Sequence, residues 1–304
     1  MLKYIMTATA LKAFSLSPQT RQGYRFLGNT LGQKKRIQAG LSREYINRAK
    51  NILALYDQYL TMQPGARVLE IGTGWVHWEA TILRLFYDVE ITLFDIWDNR
   101  HFEAYKCYCQ KLDEIIDSEI ELEPARRARV HGLLEEIQNA STFDDIYAIL
   151  NFTYVVNPQG TLDVFADQSF DLITSSNVLE HVDKAILPAF TQDFYRILKV
   201  GGYSIHQIDL GDHLSYYDQR ARAKNYLRYD DTTWKRFFEN DVQYFNRVQK
   251  PLWMEMFQAS KLELVNVESV DVDLKALPIA QSYQDINAQD LRCWTLRVVH
   301  TRPR

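Results

Sequence analysis

Apolar positions along the chain change period several times, and each change marks an element. From Leu41 to Leu60 they recur at helical spacing (Ile46, Ala49, Leu53, Leu55, Tyr56, Leu60), and Pro64-Gly65 breaks the run. Ala66 to Ile71 is a short continuous apolar run that ends in glycines, as a strand buried on both faces does. Trp78 to Tyr87 predicts a helix, Glu90 to Phe94 a second strand, and residues 101–139 helices on an outer face, with Pro124 as a helix start. Ser141-Thr142-Phe143-Asp144 predicts the cap of a short helix, followed by strands at Phe152 to Val156 and Phe170 to Thr174. A helix over Lys184 to Leu198, stopped by Gly201-Gly202, then a strand over Tyr203 to Ile208 complete the alternation. Leu262 to Val270 and Cys293 to Val299 predict two last strands that pair antiparallel.

This order predicts an α/β fold, a Rossmann-like open seven-stranded sheet, mostly parallel, with the last strand antiparallel. It also sets domain boundaries. Residues 1–62 are expected as an N-terminal helical cap and 63–304 as the main domain. Within the latter, 210–260 is expected as a helical, aromatic insertion after strand five that covers a substrate.

Composition narrows the class. With 304 residues, 46% hydrophobic and 24% charged, the chain has globular proportions, and no apolar run reaches the roughly 20 residues that span a bilayer. Residues 1–15 hold a lysine and an apolar stretch like an export signal, but Lys12 interrupts it, so a cytoplasmic location is expected. Three cysteines make no disulfide framework. Cys107 and Cys109 lack a second Cys/His pair at zinc spacing, so no metal is expected. Net charge is −4, unevenly spread: residues 1–50 carry ten Lys/Arg against one acid, Glu44, a balance of +9 that leaves −13 for the rest. A basic arm can meet nucleic acid, but an acidic body and the absence of an aromatic-proline base-methylating motif argue against it. The expected partner is a small-molecule acceptor, with a homodimer left open.

The sharpest chemical signal is Val68-Leu69-Glu70-Ile71-Gly72-Thr73-Gly74-Trp75, a strand running into a tight two-glycine turn before a helix. Such a turn lets backbone amides approach a ligand closely, and the helix behind it presents unpaired N–H groups. Asp95 closes the next strand 21 positions after Gly74, where a carboxylate can take both hydroxyls of a ribose. A dinucleotide site wants a third glycine, but that position is His77, which would crowd a pyrophosphate.

The E-x-G-x-G run, the stretch Ser169-Phe170-Asp171 to Leu179-Glu180-His181-Val182, and the turn Leu198-Lys199-Val200-Gly201-Gly202-Tyr203 resemble, in this order, the class I S-adenosylmethionine-dependent methyltransferases; the glycine turn ending in Trp75 and the run His206-Gln207-Ile208-Asp209-Leu210-x-Asp212-His213 resemble bacterial members acting on small molecules or glycans. The chain departs from the longer glycine motif at Val76. The resemblance implies S-adenosylmethionine as cofactor, with S-adenosylhomocysteine as product. It implies a cofactor site at Glu70, Gly72, Thr73, Gly74, Trp75, Asp95 and Ile96, with Asn157, Ser176 and Asn177 beside it. His181, after strand four, and Asp209 and His213, after strand five, are the candidate bases for a substrate hydroxyl; shaping the pocket is the other reading of each. Tyr217, Arg228, Asn246 and Arg247 lie in the aromatic segment and are candidates for holding substrate. The expected reaction is methyl transfer to a hydroxyl, or next an amine, of a small metabolite or sugar. The rivals are a nicotinamide-dependent oxidoreductase and a non-catalytic nucleoside-binding module.

Overall fold

The computed structural model describes residues 2–59, 63–218 and 220–304. In chain order the elements are α1 (Leu2–Phe14), α2 (Pro18–Ala39), α3 (Arg43–Tyr59), β1 (Ala66–Ile71), α4 (Trp78–Phe86), β2 (Val89–Asp95), α5 (Phe102–Glu119), α6 (Pro124–Asn139), α7 (Phe143–Leu150), β3 (Phe152–Val156), β4 (Phe170–Ser176), α8 (Leu187–Ile197), β5 (Leu198–Asp209), α9 (Asp231–Phe237), α10 (Lys250–Ala259), β6 (Glu263–Asp271), α11 (Ala288–Arg292) and β7 (Cys293–Thr301). The strands form one sheet in the order β3-β2-β1-β4-β5-β7-β6. β1 pairs parallel with β2 and β2 with β3, while β7 runs antiparallel to both β5 and β6. The expected fold, including the reversed last strand, is what the chain adopts.

The chain forms two compact units that do not follow sequence order: Gly28–Thr174, and Met1–Leu27 with Ser175–Arg304. In the first, β1 reads as a buried strand should, with Val68 and Leu69 without accessible surface. Its neighbour in β4 is fixed by Asp171, whose Oδ2 accepts from Arg67 N at 2.8 Å. α7 starts where its cap was expected. Asp145 N donates to Thr142 Oγ1 (3.1 Å) and Thr142 N to Asp145 Oδ2 (2.9 Å), so two otherwise unpaired amides are satisfied reciprocally.

In the second unit α1 joins the aromatic segment in one core. Tyr4, Ala8 and Leu11 pack with Leu214, Tyr226, Trp234, Phe238 and Phe245. Tyr4 also donates its hydroxyl to Asp212 Oδ2 at 2.7 Å. Much of the aromatic content of 210–260 is therefore core: Trp234 and Trp253 are essentially inaccessible. One boundary differs from expectation. Gly201-Gly202 do not precede the fifth strand but lie inside β5. Gly201 takes φ +78° and donates to Arg302 O at 2.8 Å, while Arg302 N donates to Gly202 O at 3.0 Å. The glycines thus sit inside a strand whose hydrogen bonding carries on from β7 to Arg302, just beyond it.

Candidate functional site

The glycine turn is built by β1 and tied to the end of β2. Gly72 N and Thr73 N both donate to Phe94 O, at 2.8 and 3.4 Å. Gly72 and Gly74 take φ +70° and +66°, which only glycine adopts without strain. A Cβ added at Gly74 would meet no protein atom within 4 Å, so the turn faces open space. Asp95 is drawn to the same place. Its Oδ2 accepts from Gly74 N at 3.4 Å and its Oδ1 from Ile96 N at 2.8 Å. Burial pushes the Asp95 carboxyl up, against these amides, which favour the charged form. Ile96 and Trp75 keep accessible faces, 39% each. The Trp75 ring is sandwiched between the Arg36 guanidinium, 3.2 Å from its centroid, and the His101 ring, stacked at 6.0 Å.

Behind the turn runs a buried chain of hydrogen bonds. Thr73 Oγ1 donates to Glu70 Oε2 (3.2 Å) and bonds His77 Nδ1 (2.8 Å), and His77 Nε2 bonds Tyr147 Oη (2.9 Å). The network assigns the tautomer: with the Thr73 proton on Glu70, His77 Nδ1–H donates to Thr73 and Nε2 accepts from Tyr147. His77 is fully buried, and burial pushes its pKa down to about 3, so the ring is neutral. It is also the left-handed N-cap of α4, with φ +41°. The side chain therefore props the turn from inside and does not stand in the ligand space, as the crowding argument had it. Glu70 is buried as well. Desolvation first, and Glu79 second, raise its pKa well above the usual carboxylate range.

In the other unit, three sequence-predicted groups come together after β4 and β5. Asp209 Oδ2 lies 3.5 Å from His213 Nε2 and accepts from Tyr216 Oη, and Asp209 Oδ1 accepts from Gly211 N at 2.7 Å. Burial would raise the Asp209 pKa, but the His213 and Tyr216 bonds outweigh it and hold the carboxyl below its ordinary value. The His181 and His213 rings are 4.9 Å apart. His181 Nδ1 bonds Tyr244 O at 2.6 Å, so it carries the proton and Nε2 carries the lone pair. His181 keeps an accessible edge, yet the protein packed around the ring, then His213, push its pKa down to about 4.

A family profile described as a methyltransferase domain matches residues 42–265, 224 of the 304 positions. The chain belongs to the methyltransferase-domain family. No curated protein matches it. Among solved structures it is similar to a putative methyltransferase from Bacillus halodurans (17% identity, 83% of this chain and 99% of that one, TM-score 0.47). It is also similar to phosphoethanolamine N-methyltransferase 2 from Haemonchus contortus in complex with S-adenosyl-L-methionine (14%, 84% and 53%, TM-score 0.46). A third is a SAM-dependent methyltransferase from Methanosarcina mazei (15%, 82% and 97%, TM-score 0.44). The protein is a S-adenosylmethionine-dependent methyltransferase. The residues present fit that cofactor: the turn is open where a Gly74 side chain would stand, and Asp95 sits against its backbone.

The remaining expected site residues of the methyltransferase divide sharply. Ser176 ends β4, and Asn177 follows it with φ +56°, its N donating to Gln207 O at 2.8 Å. The Asn157 amide is spent within its own loop, donating to Thr161 O and Oγ1 (2.9 and 3.1 Å) and accepting from Gln159 N (3.2 Å). Asn246, expected to hold substrate, is bound to backbone instead: Nδ2 donates to Leu179 O (2.9 Å) and Val182 O (3.0 Å), and Oδ1 accepts from Val248 N (3.1 Å). It clamps the turn that carries Glu180 and His181. Arg247 is a strut, bonding Asp231 Oδ1 (2.6 Å) and Tyr283 Oη (2.9 Å) with its guanidinium 4.8 Å from the Trp234 ring centroid. Tyr217 is exposed and its Oη accepts from Gln243 Nε2 at 2.7 Å. Arg228 lines an open surface cleft with Tyr229, Asp230 and Thr233. Sequence reasoning passed over Glu180, fully buried beside the two histidines. Its signal was the Glu-His pair itself, read only as part of a family stretch.

Proposed function

We propose that this methyltransferase methylates a hydroxyl of a small acceptor, an amine being the second class of nucleophile. Gly72, Gly74, Trp75, Ile96 and Asp95 would hold the cofactor, with Asp95 taking the ribose hydroxyls. When bound, S-adenosylmethionine supplies a methyl made electrophilic by its sulfonium. An alcohol must lose its proton as it attacks, and this chain has a set of groups suited to receive it. The observation that carries the reading is the pairing of Asp209 Oδ2 with His213 Nε2. The Asp209 carboxylate facing Nε2 favours the tautomer with its proton there and leaves His213 Nδ1 as the nitrogen with the lone pair.

Residues 1–27 and 210–260, which share one core, are proposed to carry acceptor specificity. Free cysteines at 107, 109 and 293 and the absence, among the described residues, of a helix able to cross a membrane accord with a cytoplasmic location. The test is release of S-adenosylhomocysteine from a panel of hydroxylated metabolites, sugars and amines. Turnover with hydroxyl acceptors, lowered roughly 100-fold or more in kcat by Asp209→Asn, is expected. Turnover with amines alone, or an Asp209→Asn variant as fast as the parent, would overturn the assignment.

A further inference from the structure

Among the described residues one group of metal-ligating side chains converges: one ligand atom each from Glu180, His181 and His213 lies within 4.8 Å of the others. A second, independent observation concerns Glu180 alone. It is 2% exposed, and neither carboxylate oxygen has a hydrogen-bond partner at normal geometry. A buried carboxylate without partners costs several kcal/mol unless it is neutralised, either by taking up a proton or by a cation among its neighbours. Its backbone is nonetheless held firmly. Asn246 N donates to Glu180 O at 2.8 Å while Asn246 Nδ2 ties down Leu179 O and Val182 O. A turn clamped this way keeps an uncompensated acid in place.

The two imidazoles are oriented as ligands are. His181 gives its Nδ1 proton to the Tyr244 carbonyl, and His213 turns Nε2 to Asp209, itself held by Gly211 N and Tyr216 Oη. Outer partners of this kind, a backbone carbonyl and a carboxylate, fix the tautomer of metal-bound histidines. They leave Nε2 of His181 and Nδ1 of His213 as lone-pair donors.

We propose that Glu180, His181 and His213 form a site for one divalent transition-metal ion of the zinc class. Two imidazoles and one carboxylate suit Zn²⁺ and its first-row neighbours over Mg²⁺ or Ca²⁺, which take oxygen sets. Metal–ligand bonds of about 2.1 Å set the ligand atoms roughly 3.3 Å apart, so side-chain shifts of about 1 Å close the site. The expectation of no metal rested on local spacing; the ligands here are split between residues 180–181 and residue 213, and only the fold assembles them. Three protein ligands leave positions open for an acceptor oxygen. An imidazole committed to a metal no longer accepts a proton, so ion and base are alternative ways for one cluster to acidify a hydroxyl. Metal binding itself does not depend on the transfer reaction.

The test uses the full-length protein stripped with a chelator, titrated with Co²⁺ while its visible d–d absorption is followed, then with Zn²⁺ and Mg²⁺ in competition. One Co²⁺ per chain, displaced by Zn²⁺ and not by Mg²⁺, is expected. Glu180→Gln and His213→Ala should each weaken Co²⁺ binding by about 100-fold or more. His131→Gln, far from the cluster in sequence and bonded to its own acids, should bind as the parent does. Glu180→Gln keeps the side-chain shape and the fold, and an unfolding temperature no lower than the parent's checks this. No saturable Co²⁺ binding, or one-to-one binding that survives Glu180→Gln, would overturn the site.

Discussion

Two glycines at opposite ends of β1 allow the cofactor site to be tested against the cost of backbone strain alone. Gly65, just before the strand, has φ +75°, and Gly74, in the turn after it, has φ +66°. An added Cβ meets no protein atom within 4 Å at either position. Replacing each by alanine therefore imposes the same penalty, a left-handed non-glycine residue, of about 1–2 kcal/mol. For a unit of this size that lowers Tm by about 2–4 °C per kcal/mol, equally for both variants. They part company only if a ligand fills the space at Gly74. A methyl pushed into a close backbone–ligand contact costs roughly another 1–3 kcal/mol, or about 5–150-fold in affinity. Calorimetry with S-adenosylhomocysteine reads this directly. Gly65→Ala should bind as the parent does, and Gly74→Ala should bind more weakly within that range. Equal affinities in the two variants, with equal losses of Tm, would show that the turn at Gly74 is only a turn.

Three further outcomes are expected. Asp95→Ala removes a charged acceptor worth about 1.5–3 kcal/mol and should lower S-adenosylhomocysteine affinity by about 10–100-fold in the same assay. His77→Ala leaves Thr73 and Tyr147 without their buried partner and opens a void among four aromatic rings, so it should cost about 3 kcal/mol in urea unfolding and weaken cofactor binding through the loosened turn. His131 bonds Asp113 at 2.6 Å and Asp117 at 3.3 Å, Asp113 first and Asp117 after it raising its pKa. A raised folded pKa gives stability present below the unfolded value near 6.5 and lost as pH rises through the folded value. The Tm advantage of the parent over His131→Gln should therefore be largest below the unfolded value near 6.5 and fade as pH rises through the raised folded value. Its ceiling is about 1 kcal/mol for so exposed a pair.

The geometry of the strand-and-turn half of the candidate site was legible because its signals are local. Glycines at positive φ and an acid at the next strand's end keep their meaning wherever the chain goes, and Gly72, Gly74 and Asp95 stand together as read. Residues named for chemical capability alone fared differently. Asn246 and Arg247 are types that hold substrates, but a side chain's partners depend on what the fold brings alongside. Here these are the 179–182 turn for one, and Asp231 and Tyr283 for the other. Glu180 was missed for the converse reason. Nothing local tells an acid in a Glu-His pair that it will be buried without a partner.

Counting partners on ring nitrogens sorts the histidines more cleanly than their place in a motif. His77 spends both nitrogens, on Thr73 and Tyr147, and His206 spends both, on Ser175 and Ser204; burial pushes each to about 3, so both are neutral bridges between hydroxyls. His131 spends both on aspartates. His101 and His300 leave one nitrogen unbonded, but sealed inside the protein, where stacked rings cover it. Only His181 and His213 combine one nitrogen fixed by an acceptor with a second that has no bonded partner among the described residues and a ring that reaches accessible surface. A fixed tautomer with a free lone pair is what a base and a metal ligand both require, and the unpaired Glu180 near these two rings is the further group that only a metal ion would use.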